Sequence, residues 1–170
     1  MSLSLSLIYA RSENYCIGNK GKVPWNLPDE YTSFERITKG KAIIMGRRTY
    51  EDHLSLLPDR FNIVISANAN YSVVPGVKLV SSLQAARQLA AKFLDEYFVI
   101  GGIGLFESSI SEANTVYETV VHAEIEGDTF LPSGLAAWDF ANWSTALLAE
   151  HPADEQHEFA FTTYRHTQGK

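Results

Sequence analysis

One carboxylate lies on the apolar stripe of a predicted helix. A helix is predicted over residues 28–39, because its proline suits a first helical turn and a Lys-Gly pair ends the segment. Within it Glu30, Phe34 and Ile37 recur at helical spacing, so the acid is expected to face inward. No Lys or Arg shares the stripe, so the pKa of Glu30 should be raised and its carboxylate needs a partner such as a ligand. The alternative is that Glu30 lies at the rim of the core and is solvated.

Two segments of the chain combine a buried strand, glycine and the start of a helix. Residues 42–45 form a short apolar run that is followed by Gly-Arg-Arg-Thr at 46–49. Residues 97–100 form a second run, which leads into the glycine-rich segment 101–106. Both junctions offer backbone N–H groups to phosphate, so one elongated ligand with several phosphates is predicted. Glu107 leaves the dinucleotide fingerprint incomplete, and two adjacent arginines can also be ordinary surface charge.

Composition argues against several other functions. The 170 residues fit one domain, with an apolar share of 45% and a charged share of 20%. A net charge of -6 and a pI near 5.3 argue against a general nucleic-acid binder. Cys16 is the single cysteine and the histidines lack HExxH spacing, so metal catalysis is not expected. Neither a signal peptide nor an apolar stretch of membrane length is apparent, which predicts a cytoplasmic protein without a membrane partner.

A sheet must bring these segments together. Predicted strands cover residues 2–10, 42–45, 61–66, 77–80, 97–100, 117–125, 143–148 and 158–164. Four helices are predicted: one over 28–39, one that begins at Thr49, one over 82–94 and one after the glycines at 101–102. The helix over 82–94 is expected to turn five residues toward the core: Leu83, Ala86, Leu89, Ala90 and Phe93. Residues 11–22 are predicted to be a mobile loop that could act as a lid. Parallel βα units followed by an antiparallel end are the expected architecture.

Six short segments occur in an order that identifies a family. They are Ile17-Gly18, Val23 to Pro28 (VPWNLP), Ile44 to Arg47 (IMGR), Leu57-Pro58 with Arg60, Val99 to Gly102 (VIGG) and Glu126 to Thr129 (EGDT). In this order they resemble the signature segments of the dihydrofolate reductases, and the resemblance runs from end to end. It implies a single α/β domain over residues 1–170, with a mostly parallel central sheet, an antiparallel C-terminal end and about four flanking helices.

The resemblance assigns the substrate chemistry to the segment around Glu30. Glu30 corresponds to the family's single acidic residue in the pterin pocket, which binds N3 and the 2-amino group of the pteridine. Trp25 belongs to the same catalytic motif, and Thr119 is implied to hydrogen-bond to this acid. Residues implied to line the substrate pocket are Ile8, Tyr9, Ala10, Tyr31, Phe34, Leu57, Arg60 and Ile100. Among them Arg60 corresponds to the residue that binds the α-carboxylate of the glutamate tail.

The resemblance also implies NADPH as the cofactor. Residues implied to bind it are Ala10, Ile17, Gly46, Arg47, Arg48, Thr49, Ser66, Gly101, Gly102, Ile103, Gly104 and Leu105. The peptide between Gly101 and Gly102 resembles the family's cis peptide. Residues 12–27 correspond to a loop that closes over the nicotinamide, and Asp128 corresponds to the residue that braces this loop.

Five positions depart from the commoner family pattern. Val23 replaces a Met or Leu of the closing loop, and Phe106 replaces a Tyr near the nicotinamide. Ala67 and Gly104 stand where relatives often have Ser and Arg near the cofactor phosphates, so recognition of the 2'-phosphate should depend more on the two adjacent arginines. His53 occupies a pocket-rim position that is often apolar. These changes should affect affinity and inhibitor response while leaving the acid, the glycines and the tail-binding arginine in place.

The resemblance predicts an NADPH-dependent reduction of 7,8-dihydrofolate to 5,6,7,8-tetrahydrofolate. The cofactor supplies a hydride to C6 while N5 gains a proton. The negative charge of Glu30 should favour protonated N5, with water delivering the proton because a carboxylate at N3 cannot reach N5. Dihydrofolate and antifolate inhibitors are the expected ligands, without metal or nucleic acid, and the expected state is a monomer.

Two alternatives remain open at this point. The reductase of riboflavin synthesis resembles this fold and also uses NADPH, but it lacks the motif from Trp25 to Glu30. A noncatalytic protein that binds pterins or nucleotides would need the same pocket. Loss of NADPH absorbance on addition of dihydrofolate distinguishes these three functions.

Overall fold

The computed structural model describes residues 4–53, 56–92, 96–132 and 139–168, without the side chain of His53. Within these residues the strands are β1 (Ser4–Ser12), β2 (Cys16–Gly18), β3 (Ala42–Gly46), β4 (Phe61–Ile65), β5 (Lys78–Val80), β6 (Glu96–Gly101), β7 (Thr115–Val121), β8 (Thr129–Phe130), β9 (Ser144–His151) and β10 (Phe161–Thr167). The helices are α1 (Pro28–Thr38), α2 (Arg47–His53), α3 (Leu83–Ala91) and α4 (Ile103–Ser109), and a 3-10 turn follows at Ile110–Glu112. The predictions for Phe93 and for the His53 side chain fall outside this description.

Eight strands form one sheet in the order β5-β4-β3-β6-β1-β7-β10-β9. The pairings from β5 to β7 are parallel, whereas β10 is antiparallel to both β7 and β9. Parallel neighbours need crossover connections, which contain helices except between β4 and β5, where residues 66–77 form no helix. β2 and β8 form a separate two-stranded sheet. The predicted architecture, parallel βα units with an antiparallel C-terminal end, is confirmed.

The central strands are buried on both faces because helices cover both sides of the sheet. Ile43, Ile44 and Met45 of β3 have no accessible surface. One apolar layer packs against α3 and α4, and the other packs against α1 and α2. None of the described helices is long and apolar enough to cross a membrane.

The start of β1 corrects one prediction. The alternation of Ser and Leu over residues 2–8 predicts a strand with one apolar face, but Ser6 on the polar face is fully buried as well. The Ser6 hydroxyl donates to Glu96 Oε2 at 3.1 Å, and Glu96 also pairs with Lys41 Nζ at 3.3 Å. β1 lies between β6 and β7, so a hydroxyl on its polar face is enclosed and needs a partner.

Several element ends differ from the predicted ones by a few residues. α1 matches its prediction to within one residue, but α2 begins at Arg47 rather than at Thr49. β7 ends at Val121 rather than at residue 125, because the chain turns there and the Ala123 N–H donates back to the Val121 carbonyl at 2.8 Å. Such turns depend on tertiary contacts that local patterns do not encode.

Residues 11–22, predicted to be a mobile loop, contain β2 and a continuation of β1. The Lys20 N–H donates to Asp128 Oδ2 at 3.0 Å, and the Asp128 N–H donates to the Gly18 carbonyl at 3.1 Å. A Cβ on Gly127 would collide with the Gly18 carbonyl, so the close approach of this turn requires glycine. The loop is therefore held against β8 by hydrogen bonds.

Candidate active site

A cavity of about 690 Å³ opens near the carboxyl ends of β1 and β6, where ligands bind in α/β folds. It lies between α1 and the first turns of α2 and α4, with the segment 17–23 at its mouth. Fifteen of the predicted site residues line it: Ile8, Tyr9, Ala10, Ile17, Glu30, Tyr31, Phe34, Arg48, Thr49, Leu57, Ile100, Gly101, Gly102, Ile103 and Thr119. The fold thus brings a substrate-sized site together from segments that are distant along the chain.

Glu30 faces this cavity from α1. Phe34 and Ile37 line the same wall, as their helical spacing predicted. Burial raises the pKa of the Glu30 carboxyl to about 7, and among the described residues no hydrogen bond or ion pair reaches its side chain. The inward orientation is confirmed, and a ligand with N–H donors would supply the missing partner.

The two glycine junctions lie side by side because β3 and β6 are neighbours in the sheet. A Cβ on Gly46 would lie 3.8 Å from the Gly102 nitrogen, which shows how closely the two segments approach. Gly101 has a φ of +140°, and a Cβ there would lie 2.9 Å from Thr49 Oγ1. The peptide between Gly101 and Gly102 is cis. A side chain at position 101 would therefore collide with Thr49, which lines the cavity.

The two adjacent arginines have different surroundings. Arg48 lines the cavity, whereas Arg47 pairs with Glu51 at 3.9 Å and lies 6.0 Å from the centroid of the Tyr71 ring. The Tyr71 hydroxyl donates to Glu51 Oε2 at 2.9 Å. Arg47 is thus outside the cavity lining, on the side of α2 that faces Tyr71.

Comparisons with known proteins agree with this geometry. A sequence profile of the family described as dihydrofolate reductase matches residues 4–168. Over 156 residues the chain is 35% identical to the type 3 dihydrofolate reductase of Salmonella typhimurium, covering 92% of this chain and 93% of that protein. Over 157 residues it is 35% identical to the dihydrofolate reductase of Bacillus subtilis (strain 168), covering 92% and 90%. The chain belongs to the dihydrofolate reductase family.

A solved structure of the same family supports this assignment. Dihydrofolate reductase from Enterococcus faecalis, complexed with NADP(H) and RAB-propyl, has a TM-score of 0.88 to this chain at 28% identity. The match covers 98% of this chain and 97% of that one. The dihydrofolate reductase fold therefore accounts for nearly all of the chain.

Thr119 lies in the cavity as the family resemblance implied, but its predicted hydrogen bond to Glu30 is absent. The Thr119 hydroxyl instead lies 2.8 Å from the Thr163 hydroxyl. These two residues are direct cross-strand partners on β7 and β10, which places their side chains next to each other. Thr163 also lines the cavity, and only the register between the two strands could have identified it.

Trp25, predicted as part of the catalytic motif, does not line the cavity. Its indole packs against Leu27, Val121 and Phe161. The Trp25 Nε1 is buried, and no acceptor among the described residues lies within hydrogen-bonding distance. The tryptophan thus packs against the end of β7 and the start of β10, next to the beginning of α1.

Arg60, predicted to bind the substrate tail, also lies outside the cavity lining. Its Nε donates to the Pro58 carbonyl at 2.8 Å, and its Nη1 donates to Thr38 Oγ1 at 3.2 Å. The guanidinium carbon lies 5.9 Å from the ring centroid of Phe34, which does line the cavity. Arg60 is therefore held just beyond the Phe34 wall.

Five residues predicted to bind the cofactor are also absent from the cavity lining: Gly46, Arg47, Ser66, Gly104 and Leu105. Ser66 follows the end of β4, next to β3, and its hydroxyl accepts the Asn68 N–H at 3.1 Å. Gly104 is exposed within α4. These residues lie at the carboxyl edge of the sheet or on the helices that begin there, so a long cofactor could continue past the cavity along this edge.

Tyr9 connects the cavity to a buried polar network that the sequence did not reveal. Its hydroxyl donates to Glu118 Oε2 at 2.8 Å, and its ring packs edge-on against Phe106. Arg11 Nε donates to the same oxygen at 2.9 Å, and His166 Nε2 lies 3.0 Å from Glu118 Oε1. Burial raises the pKa of the Glu118 carboxyl, but the hydrogen bond with His166 and the charge of Arg11 outweigh it, so this pKa lies below its ordinary value.

Sequence reasoning did not assign several other residues of the cavity to the site. They are Ser33, Asp52, Tyr117 and Thr129, whereas Gly18, Gly21 and Lys22 belong to the loop 12–27 that was expected to close over the nicotinamide. Ser33 and Asp52 follow the predicted residues Glu30 and Arg48 by about one helical turn, so helical spacing could have identified them. The others depend on how β7, β8 and the loop pack together.

Proposed function

We propose that this chain catalyses the NADPH-dependent reduction of 7,8-dihydrofolate to 5,6,7,8-tetrahydrofolate. Family membership, the two relatives and the structural neighbour that holds NADP(H) support this reaction and cofactor over a riboflavin-pathway reductase. The observation that carries the proposal is Glu30, a half-buried carboxyl with a pKa of about 7, facing a substrate-sized cavity beside the glycine junctions.

Glu30 binds and polarises the pteridine in this proposal. Its carboxylate accepts hydrogen bonds from N3 and the 2-amino group, which are donors that the free protein does not offer it. The retained negative charge favours the protonated form of N5. Because a group at N3 is remote from N5, water delivers the proton. Antifolates that present similar ring donors would bind the same carboxylate.

The residues around the glycine junctions fit a cofactor with phosphate groups. Gly101 and Gly102 line the cavity, and Arg48 and Thr49 line it beside them. NADPH, when bound, supplies the hydride to C6 of the substrate. Arg47 and Ser66 extend the binding surface beyond the cavity, where Arg47 can exchange its exposed contact with Glu51 for a phosphate.

Three further residues have proposed supporting roles. Arg60 binds the α-carboxylate of the glutamate tail, because its guanidinium lies just beyond the Phe34 wall. Asp128 holds the loop at the cavity mouth through its hydrogen bonds to Lys20 and Gly18. Val23, exposed at this mouth, is the side chain that would lie over the ligands when the loop closes.

The test is the loss of NADPH absorbance when dihydrofolate is added to the purified protein. Turnover that requires both compounds is the expected result. A parallel assay with the pyrimidine substrate of the riboflavin pathway tests the alternative reductase. Binding of dihydrofolate and NADPH without turnover would instead identify a noncatalytic binding protein.

A further inference from the structure

A cluster of metal-ligating side chains lies outside the active-site cavity. Asp29 begins α1 next to Glu30, whereas His151 and His157 belong to the end of β9 and the connection to β10. One carboxylate oxygen and one imidazole nitrogen from each histidine all lie within 4.8 Å of one another. None of the three residues lines the active-site cavity. The cluster joins segments that are far apart in sequence.

The hydrogen bonds of the two histidines orient Nε2 of each ring toward Asp29. His151 Nδ1 lies 2.7 Å from the Pro152 carbonyl, which can only accept, so this nitrogen carries a proton. His157 Nδ1 likewise donates to Asp154 Oδ1 at 2.8 Å. In the neutral rings the Nε2 atoms are then the lone-pair nitrogens, available to a metal.

Asp154 and His157 have the arrangement of an outer carboxylate and a ligating histidine. In metal sites such a carboxylate fixes the tautomer and the orientation of the ring. Asp154 Oδ1 also accepts the backbone N–H of His157 at 2.9 Å, which holds the carboxylate in place. The His157 side chain is buried, and the His151 ring stacks on Phe161 with an interplanar angle of 5°. Both rings are therefore positioned before any ion arrives.

The contact between His151 and Asp29 needs a positive charge between its two atoms. His151 Nε2 lies 2.8 Å from Asp29 Oδ2, so two lone pairs would face each other if the ring is neutral. Either a second proton on the ring or a cation resolves this conflict. His157 Nε2 lies 3.9 Å from the same oxygen and accepts the Asp29 N–H at 3.1 Å. A cation would bind the lone pair of His157 Nε2 in place of this N–H. The Asp29 N–H would then bond to water, because Asp29 is exposed.

We propose that Asp29, His151 and His157 bind one divalent transition-metal ion of the zinc type. Two imidazoles and one carboxylate suit Zn²⁺ or Co²⁺, whereas Mg²⁺ and Ca²⁺ prefer oxygen ligands alone. In a tetrahedral site ligand atoms lie about 3.3 Å apart, so small side-chain shifts suffice, and exposed Asp29 can make them. Water completes the coordination on the open side.

The surrounding charge favours a cation. The segment 150–158 contains Glu150, Asp154, Glu155 and Glu158 and no Lys or Arg. In the described part of the chain, no Lys or Arg forms an ion pair with Asp29 or Asp154. The ion would clamp the start of α1 to the β9–β10 connection, and it should therefore stabilise the folded protein.

Calorimetric titration of chelator-treated full-length protein with ZnCl₂ tests the site. The expected result is saturable binding of one ion per chain, weakened at least about tenfold by His151→Gln or Asp29→Asn. Asp154→Asn, which removes the outer carboxylate, should weaken binding about 10- to 100-fold. His122→Gln, at an exposed histidine outside the cluster, is the matched control and should bind like the parent. Zn²⁺ should also raise Tm by on the order of 5 °C at a hundredfold excess over Kd.

A measurement on the unaltered protein guards against variants that fold poorly. In imidazole nitrogen NMR spectra, ZnCl₂ should shift the Nε2 signals of His151 and His157 and leave those of His122 and His166 in place. Absence of saturable binding would overturn the proposal. So would binding of parental strength in both His151→Gln and Asp29→Asn, or Zn²⁺ shifts confined to His122.

Discussion

Glu30 is half-buried in the wall of the cavity, and the partial removal of its carboxyl from water raises the pKa to about 7. Free enzyme at neutral pH should therefore hold this group partly protonated. Dihydrofolate brings N–H donors to the carboxylate, and hydrogen bonds to the charged form lower a pKa. Substrate binding is thus expected to ionise the residue that polarises the pteridine.

Glu30→Gln should impair chemistry more than cofactor binding, because it removes the charge while keeping the side chain's shape. Groups that promote proton transfer contribute about 10²- to 10⁴-fold, so a loss in this range is expected at neutral pH. Single-turnover hydride transfer is the measurement, since product release can limit steady-state turnover. The deficit should shrink as pH falls, because solution then protonates N5. A deficit that does not vary with pH would assign Glu30 a positioning role alone.

The raised pKa of Glu30 also predicts how stability depends on pH. The ordinary pKa of a glutamate carboxyl is 4.5, and the pKa of Glu30 in the folded protein is about 7. Between these two pH values the folded state therefore binds more protons than the unfolded state. The contribution of Glu30 to the free energy of unfolding is fully present below pH 4.5 and is lost as the pH rises through about 7. Glu30→Gln avoids this loss, and above the folded pKa it should be more stable than the parent by about 3 kcal/mol.

Urea unfolding of ligand-free parent and variant at about pH 4.5 and about pH 8 measures this difference. Carboxyls with lowered pKa values, such as Glu118 and Asp154, destabilise both proteins equally on acidification and cancel in the comparison. Equal stabilities at the higher pH would show that Glu30 is solvated in the free protein.

Arg60→Leu should raise KM for dihydrofolate at least about tenfold, because a charged tail carboxylate would lose its partner. A pterin without the glutamate tail should be reduced at the parental efficiency. Arg60 also bonds Thr38 and the Pro58 carbonyl, so thermal unfolding of the variant must be recorded. Arg36→Leu, at an exposed arginine of α1, is the matched control. Equal losses with tailed and tailless substrates would mean that Arg60 acts through the fold.

At the scale of elements, the junction between β6 and α4 requires a residue without a side chain at position 101, which is Gly101. A Cβ there would lie 2.9 Å from Thr49 Oγ1 at a φ of +140°. Gly101→Ala is expected to destabilise the protein by about 1 to 3 kcal/mol and to weaken NADPH binding. Gly104→Ala is the matched control, since its Cβ meets nothing within 4 Å and alanine favours a helix by about 0.5 to 1 kcal/mol.

Urea unfolding and NADPH titration of both glycine variants check this prediction. Gly104→Ala should be at least as stable as the parent. If both variants lose the same stability, the cost comes from α4 as a whole, and the contact with Thr49 is not responsible.

At the scale of the whole molecule, the chain is predicted to be a monomer. β9 is an edge strand with two exposed leucines, Leu147 and Leu148. Leu148 is the extra residue of a β-bulge against β10, and such a bulge disturbs the edge with which a second copy would pair. A net charge of -6 adds repulsion between copies. Light scattering should give a mass near 18.9 kDa, and twice that mass would show that the β9 edge or another surface pairs.

The sequence by itself determined the features that depend on local chemistry. The apolar stripe of α1 placed Glu30 toward the cavity, because helical periodicity alone selects which side chains share a face. Glycines after two buried strands located the junctions at Gly46 and Gly101, since close backbone approach requires them. The parallel βα units and the antiparallel C-terminal end followed from the succession of predicted strands and helices, whereas the order of the strands in the sheet did not. The short motifs then extended these predictions to the family and its reaction.

Only the tertiary structure decided which distant side chains meet. Thr119 pairs with Thr163 rather than with Glu30 because of the β7–β10 register, and a shift of β10 by one residue would turn Thr163 to the opposite face. Arg47 and Arg48 are adjacent in sequence, yet only Arg48 lines the cavity, because α2 begins at this point. Local patterns carry no information about such contacts, because they depend on how complete elements pack against one another.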